Sequence, residues 1–280
     1  MEQMRVGVWI YGLATIVTGI LDIVWGAFES SHQPIQALGE HIPFSQLFAY
    51  FAGAWLVASG MAMLWQRTER MGAAGSAIIY LVFALLWVPR FYAAPHMPGF
   101  RLGVLVFILF GIGQQLLLVS PALILYPGAL SDPLWRERAA TAGRWTLGLG
   151  PIAFGLLHLI SPHVLARFVP HWVPFPVFWA VVTGVAFLLA GLAIVSGIQD
   201  VLAARLLALM LLLFEAAVEL PPAFAQMHSQ VAWGAAVYNA TAIGACLIFS
   251  QFVIGRRQTD QRKHDLARQT AKPQPDSLIA

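Results

Sequence analysis

Charge is scarce in this chain. Only 10% of its 280 residues are Asp, Glu, Lys or Arg, against about 25% in an ordinary soluble domain, which excludes a globule with a charged, solvated shell. Cysteine is scarcer. One thiol, Cys246, can form neither an internal disulfide nor a CxxC pair, so dithiol chemistry within the chain is excluded. No HExxH, close His pair or Cys/His cluster offers metal-ligand spacing, and no Ser/His/Asp or Cys/His set stands out. The expectation is therefore a chain without a metal site or a catalytic constellation. Six of the eight histidines (His32, His41, His96, His163, His171 and His228) are expected in solvated loops.

A basic surface patch is also lacking, despite a net charge of +3. Residues 256–280 hold six Lys/Arg (Arg256, Arg257, Arg262, Lys263, Arg268 and Lys272) against Asp260, Asp265 and Asp276, while residues 1–255 balance ten charges of each sign. The basicity is one tail, so nucleic acid is not an expected partner. With Pro273 and Pro275 in it, the tail beyond Gly255 is expected to be disordered. Arg256 and Arg257 beside a membrane would favour anionic lipid by about 1 kcal/mol each.

What is present is apolar sequence: 59% of residues, a mean hydropathy of +0.73, and no charged side chain from Leu102 to Ser131. A run of 18 or more such residues reads as a membrane span. Eight candidates follow: Val6–Ala27, Gln46–Trp65, Met71–Pro89, Leu102–Leu125, Trp145–Ile160, Val177–Ile198, Val201–Leu220 and Val231–Ile254. The first, lacking a small-x-small cleavage site, reads as an uncleaved signal anchor. The fifth stops at Ser161-Pro162 and is either complete with little tilt or extended by the following HVLARFV. With the N-terminus cytoplasmic, thirteen Lys/Arg fall inside, and only Arg90, Arg101 and Arg167 outside. Both termini are expected in the cytoplasm, in a multi-pass protein of a plasma membrane of the bacterial inner-membrane kind. Trp65, Trp135, Trp145 and Trp172 fall near span ends, where amphipathic rings favour the interface.

The chain also matches itself. At a shift of 131 residues, Pro43-Phe44 falls on Pro174-Phe175, Gly53 on Gly184, Gly60 on Gly191, Ala62 on Ala193, Gly103 on Gly234 and Ile112-Gly113 on Ile243-Gly244. Upstream, Thr18–Asp22 resembles Phe154–His158 at a shift of 136. The expectation is an all-α integral membrane protein of eight spans in two tandem four-helix bundles. Residues 1–130 form the first unit, 131–144 a cytoplasmic linker, 145–255 the second unit and 256–280 the tail. Two such units share orientation, as in parallel-repeat transporters.

The unit resembles a known family. Gly155-Leu-Leu-His158 near the outer end of a first span, then Pro170-His-Trp172-Val-Pro174 and a span bearing Gly184 and Gly191, are similar to the DoxX-like family of four-helix membrane proteins. In the first unit Asp22 replaces the His, and Glu40-His41-Ile42-Pro43 replaces the loop. The resemblance implies a non-catalytic membrane subunit of a redox complex, with a membrane or peripheral redox protein as partner.

Ionisable residues in a bilayer cost about 2.5–3.5 kcal/mol each on insertion scales, so each calls for a reason. Asp22, Arg90, His158, Glu215 and Glu219 all fall in the outer half of their spans or at its edge. Glu215 and Glu219, spaced i,i+4, share a helix face. The pair calls for a bound proton or a cation, with His158 the expected partner within the second unit and Arg90 the partner across units. Three readings stay open: ties between helices, a site for a quinone or bound lipid, and a path for protons or a small transported molecule. Against transport, only span five resembles an interrupted helix. Gln114, Gln115 and Asn239 read as interhelical hydrogen bonds, and Gly111-Ile-Gly113 as close helix packing.

Overall fold

A computed structural model describes residues 2–28, 44–94, 102–126 and 131–270. The expected loop residues His32, Glu40, His41, His96 and Arg101 lie outside them. Among the described residues every regular element is helical. They are α1 (Glu2–Trp25), α2 (Ser45–Leu64), α3 (Glu69–Trp87), α4 (Pro89–Ala93), α5 (Leu102–Leu125), α6 (Pro133–Ile160), α7 (Pro162–Leu165), α8 (Pro176–Ser196), α9 (Asp200–Phe214), α10 (Leu220–Ala225) and α11 (Gln230–Thr270). Seven helical stretches are long and apolar enough to cross a membrane, and the count reaches eight if the bent pair at Ser161 is one span. The chain is thus an all-helical protein of multi-pass membrane character.

The termini of the helices follow from local chemistry, and they correct three expectations. Residues 133–144 are not a linker but the first three turns of α6. Asp132 accepts a hydrogen bond from the Leu134 N–H at 2.8 Å and Pro133 occupies the first helical position, a strong start signal. Helix α6 has 28 residues, about 42 Å. The HVLARFV segment is helical but does not continue its axis. After Ser161 the chain turns by 98° into Pro162–Phe168, because Pro162 removes a donor and clashes with a continuing helix.

The tail is not disordered through its length. Helix α11 runs 41 residues to Thr270, about 62 Å. Once a long helix exists, adding Arg, Gln, Lys, Leu and Ala needs no new nucleation, and nothing stops it before Lys272-Pro273. Residues 271–280 lie outside the described ones.

Helices pack as antiparallel neighbours around the bundle in the order α1, α2, α3, α5, α6, α8, α9, α11 and back to α1, with α5 also touching α11 across the middle. Glycines set the closest approaches. A Cβ on Gly53 would lie 2.6 Å from the Gly19 carbonyl oxygen, and one on Gly60 2.6 Å from that of Gly12. On the other side, a Cβ on Gly155 would lie 2.7 Å from the Gly184 oxygen, and one on Gly191 2.7 Å from that of Gly148. No side chain fits at any of these four places, so α1 meets α2, and α6 meets α8, backbone to backbone. Gly113 likewise faces Gly150, and Gly111 faces the Trp87 ring, as the packing expectation for Gly111-Ile-Gly113 required. Phe44 and Phe175, which precede α2 and α8, both have left-handed backbones (φ 62° and 56°).

Tyr11 and Tyr80, both 0% exposed, fill the interior among α1, α3 and α5. The Tyr11 hydroxyl donates to the Leu118 carbonyl at 2.6 Å, so the largest buried polar side chain of α1 is satisfied on a neighbouring helix.

Candidate functional site

The five expected site residues lie at the end of the bundle opposite Glu2 and the exposed part of α11, but the structure brings only some of them together. Asp22 is wholly buried in α1, with its Cβ against Gly53 of α2, and lines neither of the two cavities described below. Arg90, in α4, holds its guanidinium 4.6 Å from the centre of the Trp87 ring, an arrangement worth about 0.5–1 kcal/mol at exposed sites. His158 uses Nδ1 on the Phe154 carbonyl one turn back, at 2.9 Å. Its ring meets Phe154 edge-on at 4.5 Å.

Glu215 and Glu219 have different neighbours. Between α9 and α10 the chain makes a π turn, Glu215–Glu219. The cause is in the sequence. Pro221 and Pro222 have no N–H to offer the carbonyls of Ala217 and Val218 four residues back, and the Leu220 N–H reaches the Glu215 carbonyl, five residues back. Single π turns recur at functional sites. Here the turn sends the two carboxylates to different places. Glu215 accepts from Asn239 Nδ2 of α11 at 2.9 Å, and the same amide donates to the Leu211 carbonyl at 2.7 Å. Glu219 lines open space. Among the described residues neither carboxylate forms an ion pair with His158 or Arg90, which corrects the expected pairing. Phe154 holds the His and Trp87 holds the Arg. The interrupted span is the seventh, not only the fifth.

Two cavities meet at Glu219. A groove of about 730 Å³ lies between α5, α6, α8 and the π turn, lined by His158, Glu219, Thr183 and Ser161 among apolar residues. Its rim residues Phe168, Trp172 and Leu213 are exposed, so it opens on the outer surface of the bundle. An interior cavity of about 260 Å³ lies deeper, among α5, α6, α9 and α11. Phe107, Phe110, Phe154, Phe214 and Glu219 line both. The interior cavity adds Trp87, Phe187, Gln114, Tyr238 and Asn239. Phe110 stacks on Phe154 at 4.7 Å and Phe154 meets Phe187 edge-on at 4.5 Å. Trp87 is 2% exposed, and its Nε1 finds no hydrogen-bond acceptor among the described residues. Asn239 both ties α11 to α9 and lines the cavity, so hydrogen bonding and lining are not alternatives here.

A second polar cluster escaped the sequence reading. Asp200, 0% exposed at the start of α9, accepts from Arg144 Nη1 of α6 and Arg257 Nη2 of α11, both at 2.7 Å. Arg144 also donates to the Ile194 carbonyl at 3.0 Å. Nearby, Arg256 pairs with Glu137. Asp200 and Glu219 are nineteen residues apart on nearly one helical axis, roughly 28 Å, so the two clusters occupy opposite ends of the bundle. The pairing was invisible because the partners lie 56 and 57 residues away in sequence. The one signal was an Asp opening an apolar span.

Among the described residues no group of three or more His, Cys, Asp or Glu side chains could hold a metal ion. Compared with known proteins, the chain matches no family model, no curated protein and no solved structure.

Proposed function

We propose that this protein binds an amphipathic, lipophilic molecule of the quinone or lipid class between helices, at the groove where His158 and Glu219 face a common space. The observation that carries this reading is the groove itself. Its volume of about 730 Å³ falls in the range of ligand sites, about 300–1,000 Å³, and it has their usual character, an apolar wall with few polar groups. Its rim opens on the outer surface of the bundle, where lipid-soluble molecules enter directly from a bilayer.

The proposal includes an orientation. Among the described residues Lys and Arg gather at the end that holds Glu2 and the exposed part of α11; on this reading that end is cytoplasmic and the groove lies in the outer half of a cell membrane. It also includes a duplication. The matching left-handed Phe44 and Phe175 and the two matching sets of glycine contacts support descent of both halves from one four-helix unit. The DoxX-like resemblance adds a redox complex as the setting, testable by co-purification of a redox protein.

The test is native mass spectrometry of protein extracted gently from its membranes, with Thr183→Trp as the blocked groove. A quinone or lipid retained by the parent chain and lost from Thr183→Trp is the expected result. A chain that carries nothing in either form, and takes up neither class when supplied, overturns the reading.

One observation favours transport as a second reading. The π turn and Pro221-Pro222 interrupt α9 beside Glu219, and interrupted spans mark many transporter binding sites. Uptake of a bound molecule into vesicles, absent in Glu219→Gln, would select it.

A further inference from the structure

We infer that the head group held at Glu219 is an organic ammonium ion, seated in the aromatic interior cavity while the ligand's apolar body lies in the groove. This inference rests on the groove reading above and names the chemistry of its ligand.

Size divides the ligand. The interior cavity, about 260 Å³, lies below the range of whole drug-sized sites, so it takes a head group and no more. The groove, about 730 Å³, takes the body. The two share Glu219 and four Phe rings, so a molecule that fills both passes its polar end beside that carboxylate.

Charge names the head. Among the described residues no Lys or Arg lines either cavity, and His158 lines only the groove. Arg90, the nearest cation to the Trp87 ring, lines neither. Glu215 lies one π turn earlier on the same chain segment but is taken by Asn239. Among the described residues Glu219 therefore presents the one acidic side chain on the lining of the interior cavity, with no cation against it. A carboxylate in low dielectric is stable beside a positive charge, and an ammonium head group supplies one where the lining does not. The wall is right for the same guest. Phe107, Phe110, Phe154, Phe187 and Phe214 line the space, and rings attract an ammonium ion through the negative electrostatic potential of their faces.

An ammonium head can belong to a membrane lipid or to a free hydrophobic amine, and the experiment separates the two. The probe is benzyltrimethylammonium, compared with neopentylbenzene, which has the same shape with carbon in place of the charged nitrogen. Binding is measured by calorimetry on the full chain in nanodiscs. Saturable binding of the ammonium, at least tenfold tighter than the hydrocarbon, and at least tenfold weaker in Glu219→Gln, is the expected result. Glu219→Asp, which keeps the charge, retains part of the affinity and controls for folding. Equal binding of the two probes, or an unchanged Glu219→Gln, overturns the ammonium assignment and leaves the groove reading standing. If neither probe binds and native mass spectrometry finds no retained molecule, the groove reading fails as well. In nanodiscs of phosphatidylcholine instead of phosphatidylglycerol, a lipid source predicts at least tenfold competition against the probe. Equal affinity in both supports a free amine.

Discussion

Two acids at opposite ends of the bundle, one buried and one half-buried, have opposite surroundings. Asp200 is enclosed by Arg144 and Arg257, each at 2.7 Å, and by the Val201 N–H at 2.8 Å. Every oxygen of that carboxylate is used within the protein. Glu219 has no ion pair among the described residues and borders two cavities. A satisfied acid ties three helices, α6, α9 and α11, into one end wall. An acid facing open space contributes little to the fold and is available to something that arrives. The position of an ionisable residue in a span does not separate these roles; its partners do.

The largest effect that would sharpen this contrast is at Asp200. Removing an acid wholly buried between cations costs about 3–5 kcal/mol. Arg257 is half-exposed, so Asp200→Ala is expected to cost about 2–3 kcal/mol, read as a loss of unfolding midpoint in detergent. A stability within 0.5 kcal/mol of the parent, itself about the scatter of neutral surface changes, would remove the tie from the argument. Next comes the filled cavity. At the 131-residue spacing Tyr80 corresponds to Leu211, Ala84 to Glu215 and Val88 to Glu219. On the proposed duplication, the first half has a bulky ring where the second lines a cavity, and apolar side chains where the second has acids. Leu211→Tyr should transfer the first half's filling to the second. Overpacking costs about 1–3 kcal/mol, and the retained molecule should be lost in native mass spectrometry. Retention of that molecule would separate the interior cavity from the ligand site.

Smaller effects follow. Arg257→Gln leaves Arg144 on Asp200 and should cost about 1 kcal/mol or less, shrinking further in high salt. An equal loss at all salt concentrations would mean that Arg257 acts through packing. The smallest effect on stability is expected at Glu219→Gln, within about 0.5 kcal/mol of the parent, measured in the same unfolding experiment. A large destabilisation there would make Glu219 a helix tie like Asp200 and collapse the comparison.

The span positions were legible because apolar runs of about twenty residues have few alternatives. The glycine contacts were legible too, since small residues recurring at fixed spacing signal close helix packing. The start of α6 was not read, because Arg136, Arg138 and Arg144 lower hydropathy without lowering helix propensity. The same holds for Arg256–Arg268 in α11. The separate fates of Glu215 and Glu219 were half legible. Their spacing suggested one face, but Pro221-Pro222 already announced a disturbed turn. The Arg144–Asp200–Arg257 cluster was counted only as loop charge, since sidedness tallies register sign and side and not partners.

Helix α11 has a mechanical consequence. Asn239, on the Glu215 carboxylate, and Arg257, on Asp200, are eighteen residues apart on one unbroken rod, roughly 27 Å. Beyond Arg257 the rod continues, exposed, past Leu266. A stiff rod does not absorb a small rotation along its length. Between Asn239 and Arg257, Gly244 lies against the Tyr11 backbone, so one continuous helix, held along its length, ties the Glu215 end of the bundle to the Asp200 end.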